Sequence, residues 1–175
     1  MKKIYYMLPV ALIAIACSTQ EKHDEEIHEP AKSTIEHPYT ASVSSNVNSD
    51  VSDADLLVVL KSYKDWETGD IQSLRSAFGD SLAYSGWDGT EFNGPTDELL
   101  TKWSASRDSL SSVKIDMAVW TKNNFPDKNM KNITVWYTET DTYKDGTIKK
   151  GTWHDINEVI DGKIVWYAQY RRPVK

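Results

Sequence analysis

Asp155 has the clearest capacity for chemistry in the C-terminal half of the chain. It lies in the stretch GTWHDINEVIDGKIVWYAQ, residues 151–169, among Trp153, Trp166 and Tyr167 and directly after His154. An aspartate surrounded by aromatic rings loses hydration, and lost hydration raises a carboxyl pKa. A carboxyl kept neutral in this way donates a hydrogen bond to a developing oxyanion; ionised, it takes a proton. The plainer role is a pocket-wall aspartate tied to a backbone N–H or to Tyr167. Both readings stay open from these residues alone.

Cys17 is the second reactive side chain and the only cysteine, so no internal disulfide is available to it. Ahead of it stand Lys2 and Lys3, then an apolar run from Ile4 to Ala16 broken by Pro9. That run is shorter than the roughly 20 residues of a membrane-spanning helix and has the layout of an export signal. Ala14-Ile15-Ala16-Cys17 resembles the lipobox of bacterial lipoproteins. The resemblance implies cleavage after residue 16, lipid on Cys17, and membrane attachment through that lipid. The cell envelope is the expected location, and Ser18 favours the outer membrane without fixing which side the protein faces. Residues 17–51 are rich in Ser, Glu, Asp and Pro, which predicts a flexible acidic tether. His23, His28 and His37 match no fixed ligand spacing, so neither a metal nor a cofactor is expected.

The elements that position Asp155 lie in residues 52–175, one domain's worth of chain. The whole chain carries 26 acidic and 20 basic residues, a net charge of −6, and no basic stripe that would point to nucleic acid. Ser52-Asp-Ala-Asp55 reads as a helix start, with Leu56, Leu57, Leu60, Tyr63 and Trp66 at helical spacing and Gly69 as the stop. A short helix from Ile71 to about Phe78 follows. Ser81–Trp87 reads as extended or looped, and Gly94-Pro95 introduces a third helix to about Leu110. From Val113 the period changes to two, and Ile133–Thr140, Gly151–Ile160 and Lys163–Arg171 read as further strands, with turns at Asp145-Gly146 and Asp161-Gly162. Helices first and strands later predict an α+β fold.

Which way Asp155 points depends on the last hairpin. A two-residue turn at Asp161-Gly162 pairs Val159 with Ile164, Asn157 with Trp166 and Asp155 with Ala168. A glycine bulge at Gly162 slips the register by one and puts Trp153, Asp155 and Asn157 on a face with Val165, Tyr167 and Gln169. Asp155 points inward in both, and His154 outward.

The order of elements, with Trp66-Glu-Thr-Gly-Asp70 closing the first helix and Asp161-Gly-Lys-Ile164 in the last hairpin, resembles the SnoaL-like branch of the nuclear transport factor 2-like superfamily. The resemblance spans Asp53 to Tyr170. It implies a cone, in which three N-terminal helices pack on a strongly curved antiparallel sheet with a pocket at the wide end. It also implies homodimers through the outer sheet face. Members include ketosteroid isomerases, polyketide cyclases, epoxide hydrolases and domains that only bind, so the fold leaves the function undecided. Asp155 falls at or near the isomerases' oxyanion-binding aspartic acid. The isomerase base position falls in Ala83-Tyr84-Ser85-Gly86, which holds no carboxylate. The late aspartate of cyclases and epoxide hydrolases is replaced by Gln169, and glutamine takes no proton at neutral pH. Tyr63 falls about one residue from the isomerases' first-helix tyrosine, an offset that would turn it aside. Tyr84 matches the water-positioning tyrosine of the epoxide hydrolases, but the Asn two residues on is Gly86.

With seven tryptophans in the chain, the cone is expected to be lined by Tyr63, Trp66, Trp103, Trp120 and Trp153, with Asn157 and Gln169 as polar contacts. The leading expectation is a lipid-anchored domain that holds a small apolar or amphipathic molecule. The alternatives are an isomerase, cyclase or hydrolase-type enzyme using Asp155 with Tyr84 or Tyr167, and a protein-interaction module whose cone is filled.

Overall fold

A computed structural model of the chain describes residues 38–39, 43–45, 50–128 and 130–174. The export signal, Cys17 and the three N-terminal histidines lie outside the described residues.

Helix α1 (Asp53–Thr68) starts at its capping residue: Ser52 is extended and its Oγ accepts from the Asp55 N–H at 3.0 Å. Leu56, Val59, Leu60 and Tyr63 form its buried stripe. Gly69, at φ 79°, ends it in the left-handed conformation that glycine adopts without steric penalty. Helix α2 (Ile71–Ala77) follows, its Asp70 cap accepting from the Ser73 N–H at 2.9 Å. Arg107 of α3 (Thr96–Asp108) donates to the carbonyls of Trp66 and Glu67, 3.0 Å each, satisfying acceptors that the end of α1 leaves open.

The strands are β1 (Val43–Ser45), β2 (Phe78–Ser85), β3 (Glu91–Pro95), β4 (Leu110–Phe125), β5 (Met130–Tyr143), β6 (Ile148–Ile160) and β7 (Lys163–Pro173). They form one seven-stranded curved sheet in the order β1-β4-β5-β6-β7-β2-β3. The β4 to β7 meander is antiparallel as expected. The sheet as a whole is mixed, because β2 runs parallel to β7 and β1 parallel to β4. Emerging from α2, β2 reaches the free edge of β7 beside Ile164 and continues in the same direction.

Folded structure also begins before Ser52. Val51 is fully buried, Tyr39 donates to Glu67 Oε2 at 3.0 Å, and residues 43–45 pair with Val119–Thr121. The free edge of β4 offers main-chain partners to any extended segment, however polar its side chains.

The last hairpin uses both expected registers, one on each side of a bulge. Asp161 (φ 51°) and Gly162 (φ 71°) make a two-residue turn, so Ile160 faces Lys163 and Val159 faces Ile164. Val165 is then an extra residue, and beyond it Asn157 pairs with Tyr167 and Asp155 with Gln169. The slip therefore arises at Val165 and not at Gly162, which lets both Ile164 and Tyr167 face inward. Ala118 plays the same part in β4: Met117 pairs with Tyr137 and Trp120 with Val135, both buried. Such bulges bend and twist their strands, which curls the sheet around the helices.

Val51, Leu56, Leu60, Ile133 and Ile164 fill the narrow end of the cone and are completely buried. Each contributes about 1.5–3 kcal/mol by leaving water. One and two turns further along α1, Tyr63 and Trp66 replace the leucines, and the wide end is hollow. Among the described residues, no helix is long and apolar enough to cross a membrane.

Candidate functional site

The hollow is a cavity of about 370 Å³. Of the residues expected to line it, Tyr63, Trp66, Trp103, Trp153, Asn157 and Gln169 do so, and the two candidate hydroxyl donors Tyr84 and Tyr167 also border it. Trp120 does not: the Ala118 bulge turns its ring inward opposite Val135, where it belongs to the core. Trp103 is the hub of the aromatic wall, with Phe78, Tyr84 and Tyr167 packed edge-on at ring distances of 5.7, 5.4 and 5.9 Å.

Asp155 lies beneath the cavity floor, completely buried. Its Oδ2 accepts from the hydroxyls of Tyr63 (3.0 Å), Tyr137 (2.8 Å) and Tyr167 (2.8 Å). Gln169 Nε2 approaches the same oxygen at 3.5 Å, and Gln169 Oε1 accepts from Tyr84 at 2.8 Å. Asn157 steadies the cluster by donating to Tyr63 Oη and to the Ile133 carbonyl, 3.2 Å each. Tyr63 is thus not turned aside; the pitch of α1 carries its hydroxyl to the floor. Burial pushes the Asp155 carboxyl up to about 6, with the tyrosine hydrogen bonds holding it from rising further. The same burial and the adjacent carboxylate push Tyr63 and Tyr137 well above the ordinary phenol value. At neutral pH this is a carboxylate enclosed by neutral phenols that donate inward, so their protons are already committed.

The mouth of the cavity carries a second polar group. Glu139 and Asp141 on β5 face inward, as Ile133, Val135 and Tyr137 do before them, with Gly151 and Lys149 as their cross-strand partners. Burial, followed by the neighbouring charges of Asp141 and Asp155, pushes Glu139 up to about 8. Burial also raises Asp141, opposed mainly by the Arg171 guanidinium. Arg171 crosses Gly151, where a Cβ would stand 2.8 Å from its Nε, and its guanidinium lies 4.8 Å from the Trp87 ring and 5.2 Å from that of Trp153. Glycine at 151 is what leaves room for that passage.

Chemically, the floor gathers its donors on Asp155 Oδ2 and leaves Oδ1 buried without a hydrogen-bond partner, and the mouth holds two neighbouring carboxyls whose hold on a proton burial strengthens. Glu139, Asp141, Tyr137, Trp87 and Arg171 were not anticipated from sequence. A signal was there for three of them: the odd-numbered series of β5 that buries Ile133 and Val135 runs on through Tyr137, Glu139 and Asp141. Arg171 became visible only with the Val165 bulge, which decides the face of everything after it. On the opposite face of the sheet, His154 stacks on Trp136 with ring centroids 4.5 Å apart and leans on Tyr170 at 5.8 Å. Among the described residues no cluster of His, Cys, Asp or Glu is arranged to hold a metal ion.

No family model matches the chain, and no curated protein matches it. Solved structures do. An NTF2-like protein from Anabaena variabilis superposes with a TM-score of 0.57 at 15% identity, over 70% of this chain and 92% of that one. An LEH-like epoxide hydrolase of M. tuberculosis gives 0.56 at 13% identity, over 68% and 83%. A putative polyketide cyclase from Xanthomonas campestris pv. campestris gives 0.54 at 14%, over 67% and 89%. At these identities the likeness is one of architecture: three helices on a curved mixed sheet, the nuclear transport factor 2-like fold.

Proposed function

We propose that this chain is a lipid-anchored envelope protein whose domain binds a small apolar or amphipathic molecule in the wide end of the cone. The observation that carries the reading is an accessible cavity of about 370 Å³, half of whose lining residues are aromatic and whose polar groups cluster at the floor and the mouth. Ligand sites have this composition: apolar surface for affinity, few polar groups for orientation. A filled cone, as an interaction module would have, leaves no such space. The anchor is supported by the arrangement of residues 1–17. Native mass spectrometry of the purified protein tests the binding reading: a mass excess that Trp103→Arg abolishes supports it. No excess, together with no response of tryptophan fluorescence to apolar probes, would remove it. Cys17→Ser should move the protein to soluble fractions, and retention in membranes would overturn the lipid. The same native spectra test a homodimer through the outer face around Trp136, His154 and Tyr170.

A second reading, an acid–base enzyme acting on a carbonyl or ring compound, is favoured by the neighbouring Glu139 and Asp141 carboxyls in the cavity wall. Tyr84 and Tyr167 border the cavity while Asp155 is shielded by its tyrosines. Glu139 is therefore the better placed group to give or take a proton. Turnover found by substrate screening that survives Asp155→Asn but not Glu139→Gln would support this reading; the reverse pattern would return the chemistry to Asp155.

A further inference from the structure

Two opposite hydrogen-bonding needs meet at the mouth of the cavity. Asp141 Oδ1 is an acceptor and Arg171 Nε a donor; both are shut off from solvent and neither has a protein partner. Buried polar atoms in folded domains are nearly always paired, so a matched acceptor and donor in one wall mark a place for a bound group to complete. The Arg171 guanidinium is stacked against the rings of Trp87 and Trp153. Asp141 and Arg171 both line the cavity, so a group bound there lies against them.

We propose that Glu139, Asp141 and Arg171 form the polar recognition subsite of the cavity, and that it selects a neutral, hydroxyl-bearing ligand over carboxylate or amine analogues of the same shape. The inference rests on the ligand-binding reading above. The charges of Asp141 and Arg171 offset one another, and Glu139 keeps its proton beside them. An alcohol meets both needs through one atom, its O–H donating to Asp141 and its lone pair accepting from Arg171. A carboxylate supplies no donor and adds negative charge beside two carboxyl groups. An ammonium supplies no acceptor and sets a like charge beside the guanidinium. Of the other charges, Lys149 also lines the cavity and, like Arg107, acts on Asp141 more weakly than Arg171 does: Lys149 is exposed over the Tyr143 ring at 4.7 Å, and Arg107 is held by the Trp66 and Glu67 carbonyls, while Asp155 lies behind its tyrosines.

The test compares three probes with one ring body, cyclohexylmethanol, cyclohexanecarboxylate and cyclohexylmethylamine, by ligand-observed NMR titration of the full chain at neutral pH. The alcohol should bind about tenfold tighter than either ion, the penalty for leaving a buried polar partner unmet. Asp141→Asn should shift preference to the carboxylate and Arg171→Gln to the amine. If one variant does not fold, the unmodified ranking and the other variant still decide. Equal affinities, an ion bound best, or rankings unchanged in the variants would overturn the subsite while leaving a binding cavity. Failure of all three probes to bind would overturn both.

Discussion

Glu139→Gln should flatten the pH dependence of folding stability. In the folded protein Glu139 keeps its proton up to about 8, against an ordinary value of 4.5, because it is buried beside Asp141 and Asp155. Below the ordinary value both folded and unfolded chains are protonated, and nothing is lost. As pH rises, the unfolded chain gives up the proton while the folded one retains it, so stability falls until the folded group also ionises. Over the full interval this amounts to about 5 kcal/mol, at 1.36 kcal/mol per pH unit. Between pH 6 and 8, above the value of about 6 to which Asp155 is raised, Glu139 dominates. The expected loss there is about 3 kcal/mol, a large share of a typical domain's stability. Glutamine keeps the shape and a donor but does not titrate, so the variant should lose little over the same interval. Urea unfolding at pH 6 and pH 8 gives the two differences directly. A flat profile in the unmodified protein, or the same fall in the variant, would refute the placement of Glu139 in a low-dielectric wall.

Asp155→Ala should destabilise by about 3 kcal/mol or more, since three tyrosine hydroxyls lose their common acceptor, and Asp155→Asn by less; urea unfolding separates them. Gly151→Ala sets a methyl 2.8 Å from Arg171 Nε and should push the guanidinium off Trp87 and Trp153, changing tryptophan fluorescence more than stability. Deleting Val165 should turn Ile164 or the pair Tyr167 and Gln169 to the wrong face, abolishing the near-ultraviolet circular dichroism that Val165→Thr retains.

The helical half was legible in the sequence because its signals are local. Ser52, Gly69 and Asp70 cap and stop helices through contacts within a few residues, and the apolar spacing of Leu56, Leu60 and Tyr63 states which side is buried. The type of the last four strands was legible for the same reason, as was the inward direction of Asp155, on which the alternative registers agree. Other features were beyond a single strand's pattern. The bulges at Ala118 and Val165 answer the demand of a closing, curved sheet, and each reverses the face of every residue after it. For that reason Trp120 turned inward, into the core and not the cavity wall, and Arg171 entered the lining. β1 came from a segment with no apolar signal, because an unpaired sheet edge selects for main-chain hydrogen bonds, to which composition is blind. The gathering of three tyrosines on one carboxylate oxygen also belongs to the tertiary structure alone. Tyr63 is 92 positions from Asp155 in the chain, and only packing α1 across the sheet makes them neighbours.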